Sequence, residues 1–231
     1  VVWIEDQASV AGASLQQDSP DNWSTAWVSS NPAPFSGSQA IQSAIGSGIH
    51  QLYFTNHPSP LSVSAGDSLF AYVYLDPANP PSEVMLQWNS GSWEHRAYWG
   101  SNDIPWGSNN TDSRKYIGPL PTVGQWVRLE VPASQVSLEG ESIRGMAFTL
   151  YNGRATWDKV GKVSYSGGGG GSNTGSIFGF NLNSGNNPSN ACVIVNVIKN
   201  SNGSTYIKSR GYNTCDTSNR RRVERGVEVL Y

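Results

Sequence analysis

Short runs of alternating apolar and polar residues, separated by clusters of turn-forming residues, dominate the first 165 positions of the chain. In DSLFAYVYL, residues 67–75, the aliphatic side chains fall on one face and the aromatic side chains on the other. EVMLQWN, QWVRLEV and IRGMAFTLY repeat this pattern, with DPANPPS, GPLPTVG and LEGES around them. Neighbouring side chains of a strand point to opposite faces, and short strands with frequent turns are typical of a β-sandwich or jelly roll. We therefore predict an all-β, jelly-roll β-sandwich over residues 1–165.

A run of glycines follows this region, in SYSGGGGGSNTGS, residues 164–176. Glycine has no side chain to pack and loses the most backbone freedom when it is ordered. We expect residues 166–176 to form a flexible linker, of natural or engineered origin, between the sandwich and a second unit at 177–231.

The second unit is predicted to be a small antiparallel sheet of four strands: IFGFNL, CVIVNVIK, STYIKSRGY and RRVERGVEVLY. The turn NSNG between the second and third strands is a strong hairpin signal. If Lys199 pairs near Ser204, Cys192 comes within reach of Cys215, and we interpret the two cysteines as a disulfide. Two free cysteines are the alternative. A sheet of this size buries little surface alone, so we expect one face to need a cover.

The composition excludes several classes of binding partner and indicates a cellular compartment. Charged residues make up 14% of the chain and the net charge is −2, so we expect no binding to nucleic acid or to an anionic membrane. No apolar stretch is long enough for a transmembrane helix. A chain with nine tryptophans, one predicted disulfide and no signal peptide is expected to be a mature or trimmed extracellular domain.

The densest aromatic stretch is WEHRAYWGSNDIPW, residues 93–106. We expect Trp88, Trp93 and Trp126 to belong to the core. Sugars stack on aromatic rings and form hydrogen bonds with Arg, Asn, Asp and His side chains. The residue types in and beside the loop of this stretch fit a sugar-binding site. The candidate ligand-binding residues are His95, Arg96, Tyr98, Trp99, Asn102, Asp103 and Trp106.

No catalytic motif is present: the chain lacks HExxH, GxSxG, a P-loop and CxxC. Glycoside hydrolysis needs two opposed carboxylates, and Glu94 and Asp103 are the only candidates near the aromatic stretch. We expect the chain not to be an enzyme.

Asp6 and Asp158 lie near the first and last strands of the predicted sandwich. These strands are often neighbours in a jelly roll, so the two carboxylates could share a structural calcium ion with backbone carbonyls. Two surface acids beside turns are the alternative.

Four segments of the first region, YVYLDPANPPSEVMLQW, SWEHRAYWG, GQWVRLEVPAS and GMAFTLYNGRATWDKVGK, resemble a β-sandwich module of large secreted and surface proteins of bacteria. The module looks like a carbohydrate-binding module or a laminin-G-type jelly roll. Carbohydrate-binding jelly rolls of this type often hold a structural calcium between their first and last strands, which the resemblance would assign to Asp6 and Asp158.

The tail, CVIVNVIKNSNGSTYIKSRGYNTCDTSNRRRVERGVEVLY, resembles the C-terminal sheet of type IV pilin-like proteins, in particular minor pilins. The two-cysteine hairpin, SRGYNTC and RRVERGVEV carry this resemblance. Pilins begin with a long apolar helix that packs on this sheet. The N-terminal helix is absent from this sequence, which suggests a soluble truncation.

Together the resemblances imply a pilin-like base that displays a lectin-like domain. We expect a non-enzymatic adhesion protein outside the cell, on a bacterial surface or pilus, with a glycan or other cell-surface ligand and other pilin subunits as partners. One alternative is a filament subunit without a glycan ligand. A second is an accessory module of a secreted polysaccharide-active enzyme.

Overall fold

The computed structural model describes residues 1–164 in full and, beyond them, the backbone of residues 174–182, 191–199, 205–212 and 224–230. The chain divides into two compact units, Val1–Ser164 and Tyr165–Tyr231.

The first unit is built from short strands. Its strands are β1 (Val2–Ile4), β2 (Ser14–Asp18), β3 (Trp27–Val28), β4 (Ala40–Gln42), β5 (Gly46–Thr55), β6 (Leu61–Ser62), β7 (Asp67–Leu75), β8 (Glu83–Asn89), β9 (His95–Gly100), β10 (Lys115–Gly118), β11 (Trp126–Pro132), β12 (Ser142–Ile143), β13 (Gly145–Gly153) and β14 (Ala155–Ser164). Its helical segments are the α-helix α1 (Trp23–Ala26) and two 3₁₀ turns, Gln7–Val10 and Ala133–Val136. Among the residues that the structure describes, no helix is long and apolar enough to cross a membrane.

Two six-stranded sheets form a sandwich, which confirms the β-sandwich prediction. The β7 sheet has the order β11-β7-β14-β4-β3, with β1 paired to β14. The β8 sheet has the order β10-β9-β8-β13-β5-β2. All pairs within these two sheets are antiparallel except β9–β10, which is parallel. The first and last strands of the unit, β1 and β14, are therefore neighbours.

The core lies between the two sheets, and the period-2 alternation decides which side chains reach it. In β7 the four aliphatic residues at positions 69, 71, 73 and 75 are fully buried, and in β8 so are Val84, Leu86 and Trp88. Trp157 of β14 packs on Phe148 of β13, with ring centroids 5.6 Å apart. Full burial of a large apolar side chain contributes about 1.5–3 kcal/mol each, so this inward face accounts for the stability of the sandwich.

The strands β8 and β9 form a hairpin. β8 and β9 pair antiparallel, with Trp88 opposite His95. β9 begins only at His95, however, so Trp93 precedes the strand and does not continue its inward face. Trp93 is half-buried rather than part of the core, and its prediction as a core residue is wrong.

Trp126 is also half-buried rather than part of the core. It lies on the outward face of the β7 sheet, where its ring contacts the edge of Tyr74 and of Phe35. Its indole Nε1 donates to the Ala33 carbonyl at 3.0 Å. The residue starts β11 opposite Tyr74, and this register points it away from the core.

The second unit contains an antiparallel sheet with the order β15-β16-β17-β18. Its strands are β15 (Thr174–Leu182), β16 (Ala191–Lys199), β17 (Thr205–Tyr212) and β18 (Glu224–Leu230). The four predicted strands are confirmed, and Lys199 pairs with Thr205, one residue from the predicted partner. β15 begins three residues before its predicted start. Cys215 and the glycine run lie outside the described residues, and so therefore does the predicted disulfide with Cys192.

Candidate functional site

A cleft of about 280 Å³ opens on the outward face of the β8 sheet. It is lined by Gln51, Tyr53, Gln87, Trp93, Arg96, Trp106 and Ala147. Four neighbouring strands supply its floor, and the chain just before and after β9 supplies two tryptophans at its walls.

Strand register brings the floor residues together. Gln87 of β8 pairs with Ala147 of β13, which pairs in turn with Tyr53 of β5. Arg96 of β9 lies opposite Gln87 on its other side. These residues therefore form one row across four strands, and Ala147 leaves room above it because its side chain is small.

Buried amides and a hydroxyl connect the floor. Gln87 Nε2 donates to Gln51 Oε1 at 3.1 Å and to Thr149 Oγ1 at 2.7 Å. Thr149 Oγ1 donates to Gln51 Oε1 at 2.9 Å, and Gln51 Nε2 donates to Asp18 Oδ2 at 2.8 Å. Satisfied networks of this kind hold side chains in one arrangement, since an unpaired buried polar group is costly. The floor of the cleft is therefore preorganised.

Arg96 extends this network to the opposite end of the floor. Its Nε donates to Gln87 Oε1 at 2.8 Å, its Nη1 to the Ser113 carbonyl at 2.9 Å and its Nη2 to Glu94 Oε1 at 3.1 Å. The Arg96 side chain is 8% exposed, whereas the Glu94 side chain is 60% exposed. A guanidinium has five N–H donors, so two N–H groups of Arg96 remain available beside the cleft.

The walls are the half-buried rings of Trp93 and Trp106. Trp93 meets Tyr53 edge to face, with ring centroids 6.0 Å apart and planes at 82°. Trp106 packs on a small apolar cluster, separate from the main core, that contains Met85, Tyr98 and Ile104. Within the described residues, neither indole nitrogen nor the Tyr53 hydroxyl has a protein hydrogen-bond partner, and none of the three atoms is buried.

The loop that carries Trp106 is fixed from below by Glu83. Glu83 Oε2 accepts hydrogen bonds from the backbone N–H groups of Asp103 at 2.5 Å and of Ile104 at 3.0 Å. Arg114 Nη1 adds a bond to the Ile104 carbonyl at 2.7 Å. Glu83 is fully buried, and this burial raises the pKa of its carboxyl to about 7 although the two N–H donors oppose the shift.

Gly107 allows the same loop to close over Arg96. Its φ is +79°, in the left-handed region that favours glycine. A Cβ atom at this position would collide with the Ser113 carbonyl oxygen and lie 2.8 Å from Arg96 Nη1. The chain can therefore approach the guanidinium this closely only because residue 107 has no side chain.

Two of the seven predicted ligand-binding residues, Arg96 and Trp106, line the cleft. Trp99 does not: it is 6% exposed and belongs to the main core, because alternation along β9 places it on the inward face with Ala97. Its burial does not favour a ligand contact, and the predicted role of Trp99 stays a prediction.

The other four predicted residues lie outside the cleft lining. Tyr98 is buried behind Trp106, and its hydroxyl donates to Asn109 Oδ1 at 2.7 Å. His95 is held by a contact of 2.7 Å between its Nδ1 and the Val136 carbonyl. Asn102 and Asp103 are exposed on the loop before Trp106.

Sequence reasoning missed five lining residues: Gln51, Tyr53, Gln87, Trp93 and Ala147. A signal was present for Gln87, which alternates with the inward residues of EVMLQWN and so had to face outward. The other floor residues become neighbours of Gln87 only through the order of β8, β13 and β5. That order is set by the fold, and no local pattern contains it.

Asp6 and Asp158 lie against the same stretch of chain, residues 36–39. Asp6 Oδ1 accepts from the N–H groups of Ser38 and Gln39, both at 2.8 Å, and these bonds lower the pKa of Asp6. Asp158 Oδ2 accepts from the Ser36 N–H at 3.0 Å, while burial raises the pKa of Asp158.

Calcium takes six to eight oxygen ligands. The described residues contain no group of three or more His, Cys, Asp or Glu side chains that could hold a metal ion. The observed partners of both carboxylates are backbone N–H groups, which do not fit a protein-built calcium cage. The calcium site stays a prediction.

Comparison with known proteins gives no family for this chain. No family model and no curated protein matches it. Among solved structures, the Endo-D glycoside hydrolase domain from Streptococcus pneumoniae matches 96% of this chain at 11% identity with a TM-score of 0.36. The chain spans only 36% of that domain.

Two other solved structures show a similar degree of likeness. The cleaved adhesin domain of Lys-gingipain from Porphyromonas gingivalis matches 69% of this chain and 97% of that domain, at 16% identity and a TM-score of 0.38. The N-terminal tandem of carbohydrate-binding modules of Paenibacillus barcinonensis Xyn10C matches 100% of this chain and 84% of that chain, at 9% identity and a TM-score of 0.39. Similarity at this level carries no argument about function, which must come from the cleft.

Proposed function

We propose that the first unit is a non-catalytic carbohydrate-binding module and that the cleft on the β8 sheet is its glycan site. The observation that supports this most is the composition of the cleft. Two half-buried tryptophans form its walls, and a preorganised row of amides and one guanidinium forms its floor. Sugars present C–H faces that pack on aromatic rings and hydroxyl groups that donate and accept hydrogen bonds.

The polar atoms still available in the cleft match this ligand class. The indole nitrogens of Trp93 and Trp106 can donate, and the Tyr53 hydroxyl can donate or accept. Arg96 adds two N–H donors. These groups can bind several hydroxyl oxygens without disturbing the hydrogen bonds of the floor.

Binding, rather than hydrolysis, is favoured by where the carboxylates lie. Among the described residues, no Asp or Glu belongs to the lining of the cleft. Glu94 bonds to Arg96, and Asp103 accepts a hydrogen bond of 2.7 Å from the Ser82 hydroxyl. Neither candidate acid therefore faces the other across the cleft, as glycoside hydrolysis requires.

The setting in which the module works follows from the sequence and is part of the proposal. We infer an extracellular adhesion protein whose second unit anchors it to a bacterial surface, with other pilin subunits as partners of that unit. In a filament subunit without a glycan ligand, two partly exposed tryptophan rings beside a polar floor would have no binding role. The partial exposure of Trp93 and Trp106 therefore favours the adhesion role.

Affinity gel electrophoresis of the full chain in gels with and without plant, fungal and bacterial polysaccharides tests the proposal. We expect at least one neutral polysaccharide to retard the protein. Trp93→Ala and Trp106→Ala should each weaken the retardation about tenfold or more, because each removes a stacking surface. Trp126→Ala is the matched control, since this tryptophan is also half-buried but lies on the β7 sheet.

Retardation that both cleft variants retain would place the glycan elsewhere on the molecule. No retardation by any polysaccharide would contradict carbohydrate binding and favour the structural role. Circular dichroism of each variant confirms that the sandwich is intact before the mobilities are compared.

A further inference from the structure

We propose that the cleft selects uncharged glycans, and that Glu94 is the residue that disfavours sugars carrying a carboxylate. This inference rests on the proposed function and names the ligand class of the same cleft. It depends on how the charges around the cleft are paired and on which of them an incoming ligand meets first.

The cleft lining contains a single formal charge among the described residues, on Arg96. That charge is already compensated. Glu94 Oε1 lies 3.1 Å from Arg96 Nη2, and two further acceptors, Gln87 Oε1 and the Ser113 carbonyl, bond to Nε and Nη1 of the guanidinium. A ligand carboxylate would have to compete with a bonded carboxylate for this cation.

The other end of the floor carries a second negative group. Asp18 Oδ2 accepts from Gln51 Nε2 at 2.8 Å, at the edge of the sheet where β2 pairs with β5. Arg96, Glu94 and Asp18 together carry one net negative charge. The whole chain has the same sign, with a net charge of −2. Neither of the two carboxylates beside the floor favours an anion in the cleft.

Exposure decides which member of the ion pair a ligand meets. The Glu94 side chain is 60% exposed and the Arg96 side chain 8% exposed, so the carboxylate is far more accessible to a ligand in solvent than the guanidinium is. Glu94 is also the neighbour in sequence of the wall residue Trp93. A uronic acid stacked on that ring would bring its carboxylate close to a like charge, which costs binding free energy. A neutral hydroxymethyl group at the same position would meet no such penalty.

Isothermal titration calorimetry of the full chain with matched hexasaccharides tests this selection. The probes are the hexasaccharides of mannan, glucan and galactan, each paired with the hexasaccharide of the corresponding uronic acid in the same linkage. Wild type should bind its best neutral hexasaccharide about tenfold or more tightly than the uronic acid counterpart. That preference should shrink as salt is added, because the repulsion is screened.

Glu94→Gln removes the charge and keeps the shape of the side chain. In this variant the preference for the neutral member of the pair should fall about fivefold, through tighter binding of the uronic acid, while the neutral sugar binds within about twofold of wild type. Glu141→Gln is the matched control: it removes an exposed carboxylate just before β12, which pairs with β6 and supplies no residue to the cleft, and should leave the preference unchanged.

Two results would overturn the inference while leaving carbohydrate binding in place. One is wild-type binding of a uronic acid hexasaccharide as tight as, or tighter than, its neutral counterpart. The other is an unchanged preference in Glu94→Gln. Failure of every hexasaccharide to bind would instead overturn the proposed function, and the selection with it.

Discussion

Glu83 is a buried acid whose ionisation acts on the loop beside the cleft. Its Oε2 holds the backbone of Asp103 and Ile104, while its Oε1 is buried and has no hydrogen-bond partner among the described residues. Because the folded protein raises the pKa of Glu83 from 4.5 to about 7, the folded state binds this proton more tightly than the unfolded chain does. The corresponding stabilisation is fully present below about pH 4.5 and is lost as the pH rises to about 7.

Glu83→Gln should remove this pH dependence, since an amide cannot ionise. The free energy of unfolding of the variant relative to wild type should shift in favour of the variant by about 3 kcal/mol between pH 4.5 and pH 7. Urea denaturation at several pH values measures it. Using the difference between the two proteins cancels the contributions of other acids, including Asp158. Parallel stability profiles for the two proteins would show that Glu83 titrates normally.

At the scale of single elements, the loop between β9 and β10 decides whether the cleft has its second wall. Gly107 lets this loop pass over Arg96, so Gly107→Ala should displace it and weaken glycan binding. The cost in stability should be about 1–3 kcal/mol, from a positive φ and from the collision with the Ser113 carbonyl.

Gly140→Ala separates these two causes. Gly140 has a φ of +84°, and a Cβ atom there would meet no atom within 4 Å. This variant should therefore show only the smaller cost of the backbone conformation and bind glycan as wild type does. Equal losses of stability and of binding in the two variants would contradict a specific role for Gly107. Thermal melts and calorimetric titration of both proteins give the comparison.

The alternation of residue types predicts the faces of the strands but not where a strand begins. The faces of β7 and β8 follow from alternation alone, because an aliphatic side chain turned outward would lose its burial. The sequence predicts Trp93 in the core and Trp99 at the ligand site, whereas the structure shows Trp99 buried and Trp93 half-buried. The reason is local: β9 begins at His95, so alternation applies to Trp99 and not to Trp93. Strand ends depend on turn geometry, which the residue pattern near Ser90 and Gly91 does not fix.

For the whole molecule, the sequence predicts the β-sandwich and some of its strands, such as β7, β8, β11 and β13, more fully than it predicts the site. The floor of the cleft joins residues from β5, β8, β9 and β13, which are far apart in the chain. Their meeting depends on strand order and register, and both result from long-range packing. Of the residues that line the cleft, Arg96 and Trp106 belong to the dense aromatic stretch at 93–106. Gln51 and Tyr53 belong to a strand whose sequence shows no comparable cluster of aromatic residues.

Tryptophan fluorescence titration of the full chain with an oligosaccharide panel is the sharpest test of glycan binding through Trp93 and Trp106. We expect a saturable shift with at least one neutral oligosaccharide. The shift should be reduced in Trp93→Ala and in Trp106→Ala and unchanged in Trp126→Ala. Repeating the titration with and without calcium tests the predicted metal. No saturable shift with any oligosaccharide, or a shift that survives in both cleft variants, would contradict glycan binding through these two tryptophans.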